Sequence, residues 1–290
     1  MKKSKGRIVF EIINTVIMLF LIVVSFYPIY YVIVASLSRT SLIMQHTGIL
    51  LKPLGLSFAA YENMFKTNKI VNGYVNTLTI LVIGLILNLV LTIIGAYFFS
   101  RKGMMLRRPL MVIVMITMFF NGGLIPFYMT VCSLGIYDSL WAVILPSAIN
   151  TFNLIILRTS FESIPDSMEE SAILDGAGEL TIIFRIIVPL SKASLAVVLL
   201  YYAVGHWNAW FNAMIFLRTK QLYPLQLILR EFLIENETDA MTGGASGDYE
   251  GIAETVKYAV ICVSTLPILC IYPFLQKYFV KGVMIGAVKG

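Results

Sequence analysis

Long apolar runs separated by short polar segments set the pattern of this chain. Residues 12–37, at ~1.5 Å per residue, give roughly 39 Å of helix, more than a ~30 Å hydrocarbon core requires. That predicts an uncleaved spanning helix kinked at Pro28, because a secretory signal has an apolar region of only ~7–15 residues. Five more spans are predicted over residues 75–99, 110–120, 140–157, 194–217 and 256–279. The third meets Asn121-Gly122-Gly123-Leu124-Ile125-Pro126, where paired glycines and a proline interrupt a helix. Residues 127–133 are therefore expected to lie along the interface. Residues 38–72, with Arg39, Lys52, Glu62, Lys66 and Lys69, are too polar to span and read as an exposed loop.

Composition fixes the class. Hydrophobic residues make up 58% of the chain, charged residues only 13%, and the mean hydropathy is +0.84. These values lie far outside the soluble globular range and predict an all-α integral membrane protein. The net charge of +6 does not point to nucleic acid, because the cations sit beside apolar runs rather than on one patch with interleaved aromatics. Most of the 22 lysines and arginines precede the first span, follow the second (Arg101, Lys102, Arg107, Arg108), or lie in residues 158–192 and near the C-terminus. Those segments, and both termini, are expected in the cytoplasm. The domain plan is then a cytoplasmic N-terminus over 1–11, a six-span domain over 12–279 and a cytoplasmic tail over 280–290. Residues 218–255, with seven carboxylates against three cations and a Gly/Ser-rich stretch at 243–247, read as an outer loop with a flexible tip. Cys132, Cys262 and Cys270 are odd in number and lack metal-type spacing, so neither a disulfide framework nor a metal site is expected.

The polar segment 158–192 has its own amphipathic logic. Ser163 and Asp166 flank Pro165 as helix-start signals, with Glu169 and Glu170 in the first turns, where the dipole favours anions. Ile173, Leu174 and Ala177 follow Glu170 at helical spacing as an apolar ridge. Gly176 and Gly178 then break the helix before a second one through Ile182, Phe184 and Ile187 to Pro189. A short helix with an apolar side and no span to bury it requires a groove on another protein.

At these residues a resemblance becomes specific. Glu170-Ser171-Ala172, Asp175-Gly176-Ala177, Phe184 and Pro189-Leu190 resemble the coupling-loop signature of ABC importer permeases, in the subfamily typified by the smaller maltose-importer permease. The resemblance extends over nearly the whole chain, through Gly122–Pro126, Leu134-Gly135-Ile136, Gly205-His206-Trp207-Asn208 and the tail from Lys281 to Gly290. Residues 189–211 are similar to a branch associated with alginate or rhamnogalacturonan fragments. Two departures are Ser171 in place of the usual alanine and Ala193 where the wider family often has proline.

The resemblance implies the type I ABC importer permease fold with a cytoplasmic coupling helix. It implies that this helix enters a cleft of an ATPase subunit, and that closure of the ATPase dimer switches the spans between inward-open and outward-open states. Glu170 would meet a basic or donor group there, Asp175 would stabilise the helix-to-turn junction, and Gly176 would permit the bend. Lys281, Gly282, Gly286, Lys289 and Gly290 match a tail that reaches between the two ATPase subunits. The implied function is the permease subunit of an ATP-driven, binding-protein-dependent oligosaccharide importer, and not an enzyme. The chain has no Gly-x4-Gly-Lys-Ser/Thr loop to hold phosphates, so ATP and Mg²⁺ belong to a partner ATPase. Six spans provide half of the usual pathway, which calls for a homologous, non-identical permease beside it and an extracytoplasmic solute-binding protein outside. The expected setting is the bacterial cytoplasmic membrane.

Polar groups at membrane depth are costly unless buried in the bundle or facing a wet cavity, so Asn150, Asn153, His206, Trp207, Asn208, Trp210 and Asn212 require an explanation. Aromatic faces and amides suit a sugar in a substrate path. Hydrogen bonding between helices, at about 0.6 kcal/mol per bond, is the plainer account of them and is preferred. His206 has only His46 as a histidine companion, in an outer loop, which excludes a histidine metal site. A membrane-embedded enzyme would require paired carboxylates or a metal cluster, and a secondary transporter would require ionisable residues mid-span. Neither pattern occurs. An importer permease for a non-sugar solute remains the alternative.

Overall fold

The computed structural model describes residues 4–66, 68–101, 103, 105–242 and 255–270. Among these the chain is helical, with one isolated β-bridge between Ser38 and Leu56. The predicted tail contacts at Lys281 to Gly290, and the Gly/Ser-rich stretch at 243–247, lie outside the described residues.

Two helices of 32 residues, α1 (Lys5–Ser36) and α4 (Lys69–Ser100), are long and apolar enough to cross a membrane. Between them lie two short helices, α2 (Thr40–Met44) and α3 (Ala59–Lys66), in the segment expected as a loop. The expected kink at Pro28 does not break α1, which runs through the proline. Three bent pairs follow. Helices α5 (Arg107–Phe119) and α6 (Leu124–Ser133) meet at 115°. Their corner is the predicted Asn-Gly-Gly break: Asn121 Oδ1 accepts from the Gly123 amide at 2.9 Å, and Gly123 takes φ +90. Helix α7 (Trp141–Ile144), with a 3₁₀ turn at Leu145–Ser147, bends by 46° into α8 (Thr151–Glu162), whose first turn is capped by the Asn150 side chain. The third pair begins after α9 (Asp166–Leu174). Helix α10 (Glu179–Ile182) passes through a π turn at Ile183–Ile187 into α11 (Val188–Leu190), then turns 90° into α12 (Lys192–Trp207). Helices α13 (Phe211–Phe216), α14 (Leu225–Thr242) and the shorter apolar α15 (Thr255–Cys270) complete the described chain. Helix α14 occupies part of the segment expected as an outer loop.

The chain forms two compact units. One takes the residues up to Asn68 together with 229–267. In it the end of α1 is tied by Tyr30 donating to the Leu51 carbonyl and by Tyr27 accepting from the Leu50 amide. The other unit, Lys69–Ile228, is built on α4, which packs along α8 and α12. The buried stripe of α4 steps by four residues through Gly84, Asn88, Thr92, Ala96 and Ser100. Small and polar side chains at this spacing let helices approach closely where apolar bulk gives no advantage over lipid.

At one corner of this unit Asp138, in left-handed backbone at φ +55, accepts from the Arg218 amide at 2.7 Å and from the Thr219 amide and hydroxyl at 2.8 and 2.7 Å. The Thr219 amide, then its hydroxyl and the Arg218 amide, hold the carboxyl below its ordinary value of 3.8. A depressed folded pKa contributes stability above the unfolded value that is lost as pH falls through the folded one. Asp138→Asn should therefore lower the melting temperature at neutral pH, and the gap to wild type should close on acidification below about 3.8. A gap that persists unchanged at low pH would show that charge plays no part.

Candidate functional site

Two sites lie at different levels of the α4 bundle. The first surrounds its Ser100 end. Helix α9 starts at Asp166, directly after Pro165 and without a side-chain cap; Ser163, expected as a start signal, instead hydrogen-bonds back to Ser160. Ala172 is buried in the core formed by α4, α8 and α12, and a small residue there lets α9 lie close. Ser171 donates to the Ser167 carbonyl. Leu174 is 88% exposed and Ile173 53% exposed, so the predicted apolar ridge faces outward. Ala177 is half-buried against the core, and Pro189 is half-buried.

The bend after α9 is a Schellman turn. Gly176 has φ +84, its amide donates to the Ile173 carbonyl at 3.0 Å, and the Ala177 amide donates to the Ala172 carbonyl at 2.9 Å. Backbone bonds thus close the junction, and the exposed Asp175 carboxylate has no hydrogen bond among the described residues. The same holds for Glu170, which borders a groove of about 320 Å³ with Tyr97, Arg101, Asp166, Glu169 and Glu179.

That groove pins α9 to α4. The Tyr97 hydroxyl lies 2.7 Å from Glu169 Oε1 and 2.6 Å from Glu179 Oε2. A phenol has one proton and serves one carboxylate at a time. Arg101 supplies the compensating charge: its Nε is 2.8 Å from Glu169 Oε2, and its guanidinium sits 5.1 Å from the Tyr97 ring centre. The Nε contact is too poorly aligned for a hydrogen bond and acts as an ion pair, leaving Nη2 buried without a partner among the described residues. Beside it, Glu162 is bridged by Arg107 and by Arg158, which also donates to the Phe99 carbonyl at 3.2 Å. Sequence reading assigned Arg101 only a topological role and did not single out Tyr97 or Glu179. Arg101→Met should weaken this attachment by about 3 kcal/mol, because it removes one partner of a largely buried ion pair and leaves the Glu169 charge uncompensated. Hydrogen exchange of the α9 amides should then accelerate more than tenfold while α12 is unchanged; equal rates in both variants would contradict the clamp.

The second site is a cavity of about 530 Å³ between α7, α8 and α12. Asn150, Asn153, His206 and Asn212 all line it, whereas Trp207, Asn208 and Trp210 do not. Trp207 is buried edge-on to Tyr74, Asn208 donates to the Val204 carbonyl, and Trp210 packs on Phe211. Behind the cavity runs a hydrogen-bonded ladder. His206 Nε2 is 2.6 Å from Asn88 Oδ1, which assigns the ring proton to Nε2. The Asn88 amide donates to the Ser147 and Ala148 carbonyls, and the Tyr202 hydroxyl meets Thr92 at 2.7 Å and accepts from the Asn150 amide at 2.9 Å. His206 thus both lines the cavity and bonds between helices. The four-residue step of small and polar residues along α4 was the available signal for Gly84, Asn88 and Thr92, which sequence reading missed. Among the described residues no cluster of His, Cys, Asp or Glu could hold a metal.

No protein-family model matches the chain. It is 40% identical over 270 residues to the polygalacturonan/rhamnogalacturonan transport system permease YtcP of Bacillus subtilis, covering 91% of this chain and 92% of that one. It is 37% identical over 290 residues to LplC of the same organism, covering 100% and 98%. Among solved structures it is similar to a bacterial ABC transporter involved in the import of the acidic polysaccharide alginate, with a TM-score of 0.88, 32% identity, and coverage of 96% and 99%. These likenesses, which run over nearly the whole length of both chains, place the chain in the permease family of binding-protein-dependent ABC sugar importers, transport subunits whose ATP hydrolysis belongs to a separate ATPase.

Proposed function

We propose that this chain is one half of a two-permease pathway for oligosaccharides in the bacterial cytoplasmic membrane, with six spans and both termini inside. The two long helices, three bent pairs and α15 are consistent with six crossings, and the positions of the cations support the orientation. A homologous second permease completes the pathway, a solute-binding protein delivers cargo from outside, and a cytoplasmic ATPase dimer binds ATP and Mg²⁺. Helix α9 is the coupling helix: Glu170 and Asp175 present charge to the ATPase cleft, Leu174 enters it, and Lys281, Gly282, Gly286, Lys289 and Gly290 form a second contact. The names of the relatives support pectic or alginate-type oligosaccharides as cargo.

The observation that carries this reading is an apolar residue, Leu174, exposed on a helix held rigidly to the bundle by Tyr97 and Arg101. Burying it on a partner is worth about 1.5–3 kcal/mol, which gives this exposed side chain a role that no contact within the described residues gives it. The test is purification of the tagged chain with its second permease and ATPase, followed by uptake of labelled oligosaccharide into proteoliposomes. Uptake should require both ATP and the binding protein, and the single chain should hydrolyse no ATP. ATPase activity from this chain alone, or uptake without ATP, would overturn the proposal.

A further inference from the structure

The cavity between α7, α8 and α12 has polar groups left over once its internal hydrogen bonds are assigned. His206 Nε2 is committed to Asn88, the Tyr202 hydroxyl to Thr92 and the Asn150 amide, and Asn150 Oδ1 to the Asn153 amide. Ser147 Oγ bonds back to its own helical turn. The side-chain amides of Asn153 and Asn212 have no hydrogen bond among the described residues. Asn153 is only 4% exposed and lines the cavity. A side-chain amide in a nearly buried residue with no partner in the protein is satisfied by what fills the cavity it lines, water or a ligand.

The remaining wall is apolar, partly aromatic and neutral. Phe152 and Tyr201, both exposed, face one another with ring centres 6.1 Å apart at 47°. Among the described residues no Asp, Glu, Lys or Arg lines the cavity. Its volume of about 530 Å³ falls in the ~300–1,000 Å³ range of small-molecule sites. Open amides suit hydroxyls, which both donate and accept, and ring faces suit the CH surface of a pyranose. A carboxylate placed here would lose water without gaining a cation.

We infer that this cavity is a saccharide subsite that reads hydroxyls through Asn153 and Asn212 and rejects the ionised carboxylate of a uronate. The inference rests on the importer reading and deepens it. It also divides the work between the two permeases: where the cargo is acidic, as with the alginate importer, the charge must be met outside this cavity.

The test uses the complete permease–ATPase complex in nanodiscs, without the binding protein, so that capture by that protein does not enter. Ala209, a small lining residue with no polar role in the cavity, is changed to cysteine (Ala209→Cys) in a background in which Cys132, Cys262 and Cys270 are replaced by serine, and its alkylation by a small uncharged thiol reagent is timed. The probes are trigalacturonate and its fully methyl-esterified form, which share rings and hydroxyls and differ in charge. At millimolar concentration the ester should slow alkylation about tenfold, and the free acid should change it by less than about twofold. Asn153→Leu, which removes the amide at similar volume, should abolish protection by the ester. Equal protection by both probes, protection by the acid alone, no protection by the ester, or protection that survives Asn153→Leu overturns the inference. Wild-type uptake, measured separately, scores the importer reading: absence of any saccharide uptake would fail that reading, whereas uptake with the wrong protection pattern fails only the subsite.

Discussion

Gly84→Leu is expected to destabilise the α4 bundle more than any other single small-to-large change considered. A Cβ at Gly84 would lie 2.5 Å from His206 Nε2 and 2.7 Å from its Cε1, closer than side chains tolerate, and the ring is boxed in by its bond to Asn88. Overpacking costs about 1–3 kcal/mol, and displacement of His206 would also leave Asn88 Oδ1 buried without its donor, a further loss of about 1–3 kcal/mol. The purified complex should show a lower melting temperature and poor recovery, with Gly84→Ala intermediate. A paired His206→Ala substitution should restore part of the loss because it vacates the contested space. Coupling between the two sites of more than about 0.5 kcal/mol in a double-mutant cycle is the expected result. Strict additivity would mean that the close approach of α4 to α12 at this level is not real.

What could be read from the sequence follows from how each signal is encoded. Apolar run length identified α1 and α4, and the Asn121-Gly122-Gly123 break identified the corner between α5 and α6, because hydropathy and backbone chemistry are local properties. The turn after α9 was legible for the same reason: a glycine after a short amphipathic stretch closes a Schellman turn by bonds made within a few residues. The start of α9 was less legible, since Pro165 sets the boundary by its fixed φ and makes a capping hydroxyl unnecessary. The clamp was not legible. Tyr97 and Arg101 lie more than sixty residues from Glu169, and a basic residue at the end of a span carries a topological explanation that hides a specific one. The cavity was half legible: polar residues at membrane depth marked Asn150, Asn153, His206 and Asn212. Trp207 lies in the same stretch but one helical step of about 100° from His206 turns it toward Tyr74, and Asn208 and Trp210 fall in the break between α12 and α13, out of helical phase with the lining residues.

Gly176→Leu should uncouple the complex, and the structure separates two causes that sequence alone runs together. The left-handed conformation at φ +84 penalises leucine by roughly 1–2 kcal/mol, yet none of the described residues lies within 4 Å of the added Cβ. Strain in the turn and obstruction of a partner are therefore distinguishable by Gly176→Asn, since asparagine tolerates left-handed backbone but still carries bulk. If the turn alone matters, Gly176→Asn should keep ATPase pull-down and oligosaccharide uptake near wild type while Gly176→Leu loses both. If close approach to the ATPase matters, both variants should fail in pull-down while their melting temperatures differ. Glu170→Lys probes the same face by charge: Glu170 is exposed and makes no ion pair among the described residues, so reversal should leave the fold unchanged. Against a desolvated basic partner it should weaken docking by about 2–5 kcal/mol, enough to strip the ATPase during affinity purification. Wild-type pull-down and wild-type uptake for Gly176→Leu and Glu170→Lys together would mean that α9 is not the element through which ATP hydrolysis moves the spans.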